Sequence, residues 1–124
     1  MATASETRVI QNLVGGAWVD SRSDQTLPIP NPATGETLAR APLSMAAEVR
    51  EAVARASEAW PAWRDTPVLE RIQTLFRLKA LLDMRHEDLA RSVTAENGKT
   101  LDEARGEVRR GIEVVEFACG MPTL

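Results

Sequence analysis

The stretch from Glu96 to Cys119 reads ENGKTLDEARGEVRRGIEVVEFAC and determines how the rest of the chain is arranged. Gly98 can end a preceding helix, because glycine adopts the left-handed backbone conformation at little steric cost. Thr100 and Glu103 have the spacing of a capping box, which marks the first turn of a new helix. The sequence therefore predicts that one helix ends at Gly98 and that a long one begins at Thr100.

The predicted long helix has two faces of small or apolar residues. At about 100° of rotation per residue, steps of three and four keep residues on one face. The first face consists of Leu101, Ala104, Val108, Ile112, Val115 and Cys119. The second face consists of Gly106, Arg110, Val114, Phe117 and Met121. One face attaches a helix to a single core, so two faces predict two packing partners. We expect the second face to be exposed when the chain is alone, which would favour association.

The N-terminal part of the chain predicts strands and turns. Residues 1–11 are expected to form a flexible tail, and residues 12–124 the folded part. A glycine pair between two short apolar runs is a hairpin signal. The predicted strands are Asn12–Val14 and Ala17–Val19 around Gly15-Gly16, followed by Thr26–Pro30 and Thr37–Ala41 around the turn at Asn31–Gly35. Prolines in the second pair favour sheet edges, because proline cannot donate a ladder hydrogen bond.

Helical periodicity begins after these strands. We predict that Ser44 is the N-cap of the first helix and that Pro61 breaks this helix. Thr66-Pro67 predicts the start of a second helix that continues to Asn97, with a bend near Met84 to Glu87. The segment alone is therefore predicted to have an α+β fold, in which a hairpin and short strands precede three or four helices.

Composition excludes several classes of protein. The chain is 44% hydrophobic and 27% charged, and it has no apolar run of the length that a membrane span requires. Its net charge of −3 gives no electrostatic reason to bind nucleic acid or an anionic membrane. The single cysteine cannot form an internal disulfide. The N-terminus lacks the apolar core of a secretory signal, so we expect a cytoplasmic protein.

Catalytic and metal-binding motifs are sparse in the sequence. No Gly-x-Gly-x-x-Gly fingerprint occurs, and Gly98-Lys99-Thr100 lacks the earlier glycine of a phosphate-binding loop. His86 lies among charged residues on what we predict to be a solvated helix face, with no further ligand nearby for a metal. Cys119 could act as a nucleophile, but its place on the first face of the long helix favours core packing. We therefore predict no catalytic residue and no metal site in this segment.

Arg110 has the strongest case for a functional role. A guanidinium group binds a carboxylate through two parallel hydrogen bonds, and Arg110 lies on the second face with Gly106 and Gly111 beside it. The alternative is an ion pair with a carboxylate of the same helix, for which Glu103, Glu107 and Glu113 are available. The residues alone favour this ion pair.

Four motifs carry a resemblance to a known family. They are ENGKT at 96–100, GEVRRGIEVVEFAC at 106–119, NPATGE at 31–36 and AWPAW at 59–63. Together they resemble the N-terminal region of the aldehyde dehydrogenase superfamily, and most of all its CoA-acylating methylmalonate-semialdehyde dehydrogenases. In order and spacing the resemblance extends from Asn12 to Leu124 but covers only part of such an enzyme.

The resemblance implies a parent enzyme with the α/β fold of aldehyde dehydrogenases. It implies oxidation of methylmalonate or malonate semialdehyde with NAD, through an acyl-cysteine, and transfer of the acyl group to coenzyme A with loss of carbon dioxide. The arginine that matches Arg110 helps to bind the substrate carboxylate, so the resemblance favours that role. The nucleophile would lie beyond this segment, so we expect the segment alone to be inactive and to bind neither cofactor. Its partners would be the remainder of the dehydrogenase chain and other copies in a homo-oligomer.

Two alternatives stay open from the sequence. The chain could be a free-standing, non-catalytic helical module that binds another protein through the second face. It could also be a segment of another aldehyde dehydrogenase, such as one that acts on succinate semialdehyde. The run from Arg110 to Cys119 favours the methylmalonate type over the latter.

Overall fold

The structure is a computed structural model that describes residues 7–123. It divides into two compact units, Met1–Pro61 and Ala62–Leu124. The first contains two small antiparallel sheets, and the second contains a group of packed helices. This architecture confirms the predicted α+β class, with four helices after the strands.

The first unit begins with the predicted hairpin. Strands β1 (Asn12–Val14) and β2 (Ala17–Val19) pair antiparallel. Gly15 and Gly16 both have positive φ angles, of 60° and 82°, which is the conformation of a tight hairpin turn and one that residues with a Cβ rarely adopt. The glycine pair therefore sets the register of this hairpin.

A second antiparallel pair follows, in which β3 (Thr26–Pro30) pairs with β4 (Thr37–Pro42). The intervening turn is closed by the Asn31 N–H, which donates to the Glu36 carbonyl at 2.7 Å. Part of the expected tail also pairs here: the Ile10 N–H donates to the Arg40 carbonyl at 2.9 Å, and the Arg40 N–H to the Arg8 carbonyl at 3.0 Å. Residues 8–10 are thus held by backbone hydrogen bonds, whereas residues 1–6 of that tail lie outside the described residues.

Helix α1 (Ala46–Asp65) does not begin as predicted. The Ser44 hydroxyl oxygen accepts a hydrogen bond from the Asn12 side chain at 2.8 Å. The capping group is the Glu48 carboxylate instead, which accepts from the Met45 N–H at 2.8 Å and from the Arg22 N–H at 2.9 Å. The hydrogen bond from the Arg22 backbone has the larger effect on the pKa of Glu48, and that from Met45 the next. Together they hold this pKa below its usual value.

The prediction that Pro61 breaks α1 is wrong, since the helix continues through it to Asp65. Proline removes one backbone hydrogen bond, but Pro61 is exposed, and water can bind the carbonyl that is left free. Thr66 then completes the last turn, because its hydroxyl donates to the Ala62 carbonyl at 2.8 Å. Thr66 is therefore bonded to α1 and does not cap the next helix, whose N-cap position is occupied by Pro67.

The second unit is built from α2 (Val68–Met84), α3 (His86–Asn97) and α4 (Leu101–Gly120). The predicted bend near Met84 is a helix break at Arg85, whose φ of −105° and ψ of 14° leave the helical region. Helix α4 packs against both α2 and α3. The core of the described residues consists of Ala90, Ala104 and Ile112.

The junction before α4 has the predicted geometry. Gly98 has a φ of 78°, and its N–H donates to the Thr94 carbonyl at 2.9 Å. The Thr100 hydroxyl accepts from the Glu103 N–H at 3.3 Å, and the Glu103 carboxylate accepts from the Thr100 N–H at 3.1 Å. This capping box fixes where α4 starts, and therefore which of its residues face inward.

Within residues 7–123, no helix combines the length and the apolar character needed to cross a bilayer.

Candidate functional site

The outward face of α4 is the surface predicted to carry Arg110. Ile112 is buried on the inner face, whereas Val114 is 64% exposed and Phe117 is 83% exposed on the outer one. Arg110 is also exposed. A side chain at Gly106 or Gly111 would meet no atom within 4 Å. The two glycines therefore leave open space on either side of the Arg110 backbone.

The carboxylates that could pair with Arg110 along α4 all have other partners. Glu103 bonds to Thr100, Glu107 to Lys99 at 2.6 Å, and Glu113 to Arg109 at 3.5 Å. Among residues 7–123 no carboxylate forms a salt bridge with Arg110. The guanidinium group is thus available to a ligand carboxylate, although the local charge pattern had favoured an ion pair within the helix.

Arg109, the neighbouring arginine, has a different environment. Its guanidinium lies 3.8 Å from Asp83 of α2 and 3.8 Å from Glu116 of α4. Lys79 joins the same cluster, at 2.6 Å from Asp83 and 3.1 Å from Glu116. The hydrogen bonds to Asp83 and then Glu116 raise the pKa of Lys79 above its usual value. Arg109 therefore helps to join α2 to α4, which leaves Arg110 as the arginine of the outer face.

A second charged cluster fixes α4 against α3. The Arg105 guanidinium donates to both oxygens of Glu87, each at 2.9 Å, and to Asp102 at 2.7 Å. This paired geometry lowers the pKa of Glu87 and raises that of Arg105. The rotation of α4, and with it the direction of the Arg110 face, is held by this contact.

The prediction that His86 lies on a solvated helix face is wrong. It is half-buried, and its Nε2 is 3.1 Å from the Arg105 carbonyl oxygen. Because a carbonyl oxygen can only accept, Nε2 carries the proton in this contact. His86 is thus used to join α3 to α4.

Cys119 lies where the periodicity placed it, half-buried on the inner face of α4 with Val115. That position agrees with a packing role for the thiol. The residues between 7 and 123 also contain no group of three or more side chains suited to hold a metal ion.

The described residues do not match the usual dinucleotide site. Such sites follow parallel strands and a glycine-rich turn that opens a helix, whereas both sheets over residues 7–123 are antiparallel pairs.

Comparison with known proteins identifies related sequences along nearly the whole chain. A sequence model of the aldehyde dehydrogenase family matches residues 18–123. The chain is 54% identical over 124 residues to malonate-semialdehyde dehydrogenase 2 of Geobacillus kaustophilus (strain HTA426). That alignment covers 100% of this chain and 25% of the relative, so the chain spans about a quarter of the length of the curated relatives it matches.

Solved structures show the same similarity. Methylmalonate-semialdehyde dehydrogenase (DddC) from Oceanimonas doudoroffii superimposes with a TM-score of 0.87 and 37% identity, over 95% of this chain and 24% of that one. A candidate methylmalonate-semialdehyde dehydrogenase from Sinorhizobium meliloti 1021, complexed with NAD, gives a TM-score of 0.89 and 33% identity. It is matched over 97% of this chain and 24% of its own length.

Proposed function

The chain belongs to the aldehyde dehydrogenase family, and from this we propose that it is the N-terminal part of an NAD-dependent, CoA-acylating malonate- or methylmalonate-semialdehyde dehydrogenase. The proposal is supported by the 54% identity to a malonate-semialdehyde dehydrogenase and by the NAD complex of a structural relative. The remainder of the dehydrogenase chain would be its partner. The whole enzyme would be a cytoplasmic homo-oligomer.

Arg110 is the residue that supports a substrate with a carboxylate group. Malonate and methylmalonate semialdehyde both have a carboxylate beside the reactive aldehyde. Arg110 offers an exposed guanidinium group that has no salt bridge among the described residues, on a face with open space next to Gly106 and Gly111. A bidentate hydrogen bond from Arg110 to this carboxylate would bind the substrate and orient it.

The segment would otherwise act as a scaffold. It would hold Arg110 through the capping box at Thr100 and through the contact between Arg105 and Glu87. The nucleophile and the dinucleotide site are expected elsewhere in the enzyme, because Cys119 packs on the inner face of α4 and the described sheets are antiparallel. We therefore expect the 124-residue chain alone to be inactive.

A second candidate is a non-catalytic module that binds another protein. The observation that favours it is the apolar outer face of α4, where Val114 and Phe117 are largely exposed. An enzyme active on succinate semialdehyde is a variant of the first proposal, since succinate semialdehyde also carries a carboxylate. Activity against the three semialdehydes distinguishes these readings, because a binding module oxidises none of them.

The test of the substrate role compares Arg110→Ala with Arg109→Ala in the enzyme at its natural length. For Arg110→Ala we expect KM for malonate semialdehyde to rise by about 10- to 100-fold, since a charge-assisted hydrogen bond is worth about 1.5–3 kcal/mol. KM for propanal, which has no carboxylate, should be nearly unchanged. Arg109→Ala should lower thermal stability and leave the ratio of the two KM values as it is.

Two further results would decide against this role. Equal effects of Arg110→Ala on both aldehydes would show that Arg110 does not recognise the carboxylate. An Arg110→Lys enzyme with unchanged KM would show that the bidentate geometry is not used, since lysine keeps the charge but not the planar fork.

A further inference from the structure

A second surface lies within the second unit. It is a groove between the end of α1, the first half of α2 and the chain around the end of α4, where Met121–Thr123 forms a short 3-10 turn. Its walls are mainly apolar and include Trp63, Val68, Ile72, Leu75, Met121 and Pro122. Trp63, Val68 and Met121 are all substantially exposed. A contiguous apolar groove of this kind marks a surface that another polypeptide segment can cover.

Arg71 lies in this groove and gives it a charge. Its Nε atom is buried and has no hydrogen-bond partner among residues 7–123. Over the same residues, salt bridges are found for Arg105, Arg109 and Lys79 but not for Arg71. A buried donor without an acceptor destabilises the folded state, most of all when it belongs to a charged group.

We propose that this groove binds a peptide segment in which one Asp or Glu side chain lies between apolar side chains. The carboxylate would pair with the guanidinium group of Arg71, and the flanking side chains would cover Trp63 and Met121. The choice of occupant follows from charge complementarity, because a single unpaired guanidinium calls for a single carboxylate. The apolar walls require the rest of the occupant to be apolar, which an inorganic anion cannot provide.

The proposal can be tested by fluorescence, because Trp63 lines the groove. In the full 124-residue chain, Trp18→Phe and Trp60→Phe leave Trp63 as the one tryptophan. The probes are the capped peptide acetyl-Leu-Phe-Asp-Leu-Phe-amide and its counterpart with Asn in place of Asp. We expect the Asp peptide to change the Trp63 emission and to bind at least about tenfold more tightly than the Asn peptide.

Substitution of the arginine completes the test. Arg71→Gln should remove the preference for the Asp peptide and leave the two dissociation constants within about twofold. The matched control is Arg91→Gln, on the exposed side of α3, where the arginine pairs with Glu87; it should keep the full preference. Circular dichroism establishes that each variant is folded. If Arg71→Gln does not fold, the proposal is still tested by comparing the affinities of the two peptides for the chain that keeps Arg71.

Three results would overturn the proposal. Equal affinity for the two peptides would exclude recognition of the carboxylate, and no binding of either peptide would exclude this class of occupant. Dimerisation that Arg71→Gln abolishes would identify a second copy of this chain as the occupant. The measurements involve no turnover, so their outcome is independent of the proposed dehydrogenase function.

Discussion

Truncation of Ile112 tests which face of α4 is the core face. Ile112 is 1% exposed and is the largest fully buried side chain among the described residues. Its replacement by alanine removes about three methylene equivalents at about 0.8 kcal/mol each, and the cavity that remains adds about 1 kcal/mol. The higher helix propensity of alanine returns about 0.5 kcal/mol. We therefore expect Ile112→Ala to lower the free energy of unfolding by about 3 kcal/mol.

Val114→Ala is the matched control, because it also replaces a β-branched residue in the same helix. Val114 is 64% exposed, so its truncation should change the free energy of unfolding by no more than about 0.5 kcal/mol. Urea unfolding followed by circular dichroism, at a concentration where the chain is monomeric, measures both values. A loss for Val114→Ala equal to or larger than that for Ile112→Ala would refute the assignment of the two faces.

Three further predictions concern the helix junction, the ion pairs and the outer face. Gly98→Ala should cost about 1–2 kcal/mol in urea unfolding, because a side chain is strained at the φ of 78°. The folded-state pKa of Glu87 lies below its usual 4.5, chiefly because of the hydrogen bond from Arg105, so its contribution to stability is complete above pH 4.5 and disappears as the pH falls through the folded value. Glu87→Gln should therefore flatten the loss of stability in acid, which melting curves at a series of pH values will show. Phe117→Lys should reduce self-association of the 124-residue chain in sedimentation velocity, because it places a charge on an 83% exposed aromatic position; unchanged association would place the contact elsewhere.

Local spacing was enough to predict the elements that depend on neighbouring residues. The capping box at Thr100, the left-handed Gly98 and the hairpin at Gly15-Gly16 each follow from residues within four positions of one another. The two faces of α4 follow from helical rotation alone. The same reasoning placed Arg110 on the outer face, where the structure has it.

Contacts between distant residues could not be predicted in the same way. Arg105 reaches Glu87 across eighteen positions, and Glu48 receives the N–H of Arg22 across twenty-six. Neither pair has a periodic signal, because each depends on how separate elements pack. Pro61 shows the converse error: a local rule predicted a break, yet α1 continues to Asp65.

The charge pattern near Arg110 was ambiguous for a related reason. Several acidic residues on α4 have helical spacing to an arginine, and spacing alone does not say which arginine each one binds. The structure pairs Glu113 with Arg109 and Glu107 with Lys99. Side-chain direction and competition between donors decide this outcome, and both require the packed structure.

An activity measurement on the protein that carries this chain, purified at its natural length, tests the proposed dehydrogenase function. Malonate semialdehyde, NAD and coenzyme A are supplied together, and NADH, acyl-CoA thioester and carbon dioxide are measured. We expect equal amounts of the three products, and none from the 124-residue chain alone. Oxidation of uncharged aldehydes without any turnover of malonate or methylmalonate semialdehyde would contradict it, as would the absence of all dehydrogenase activity.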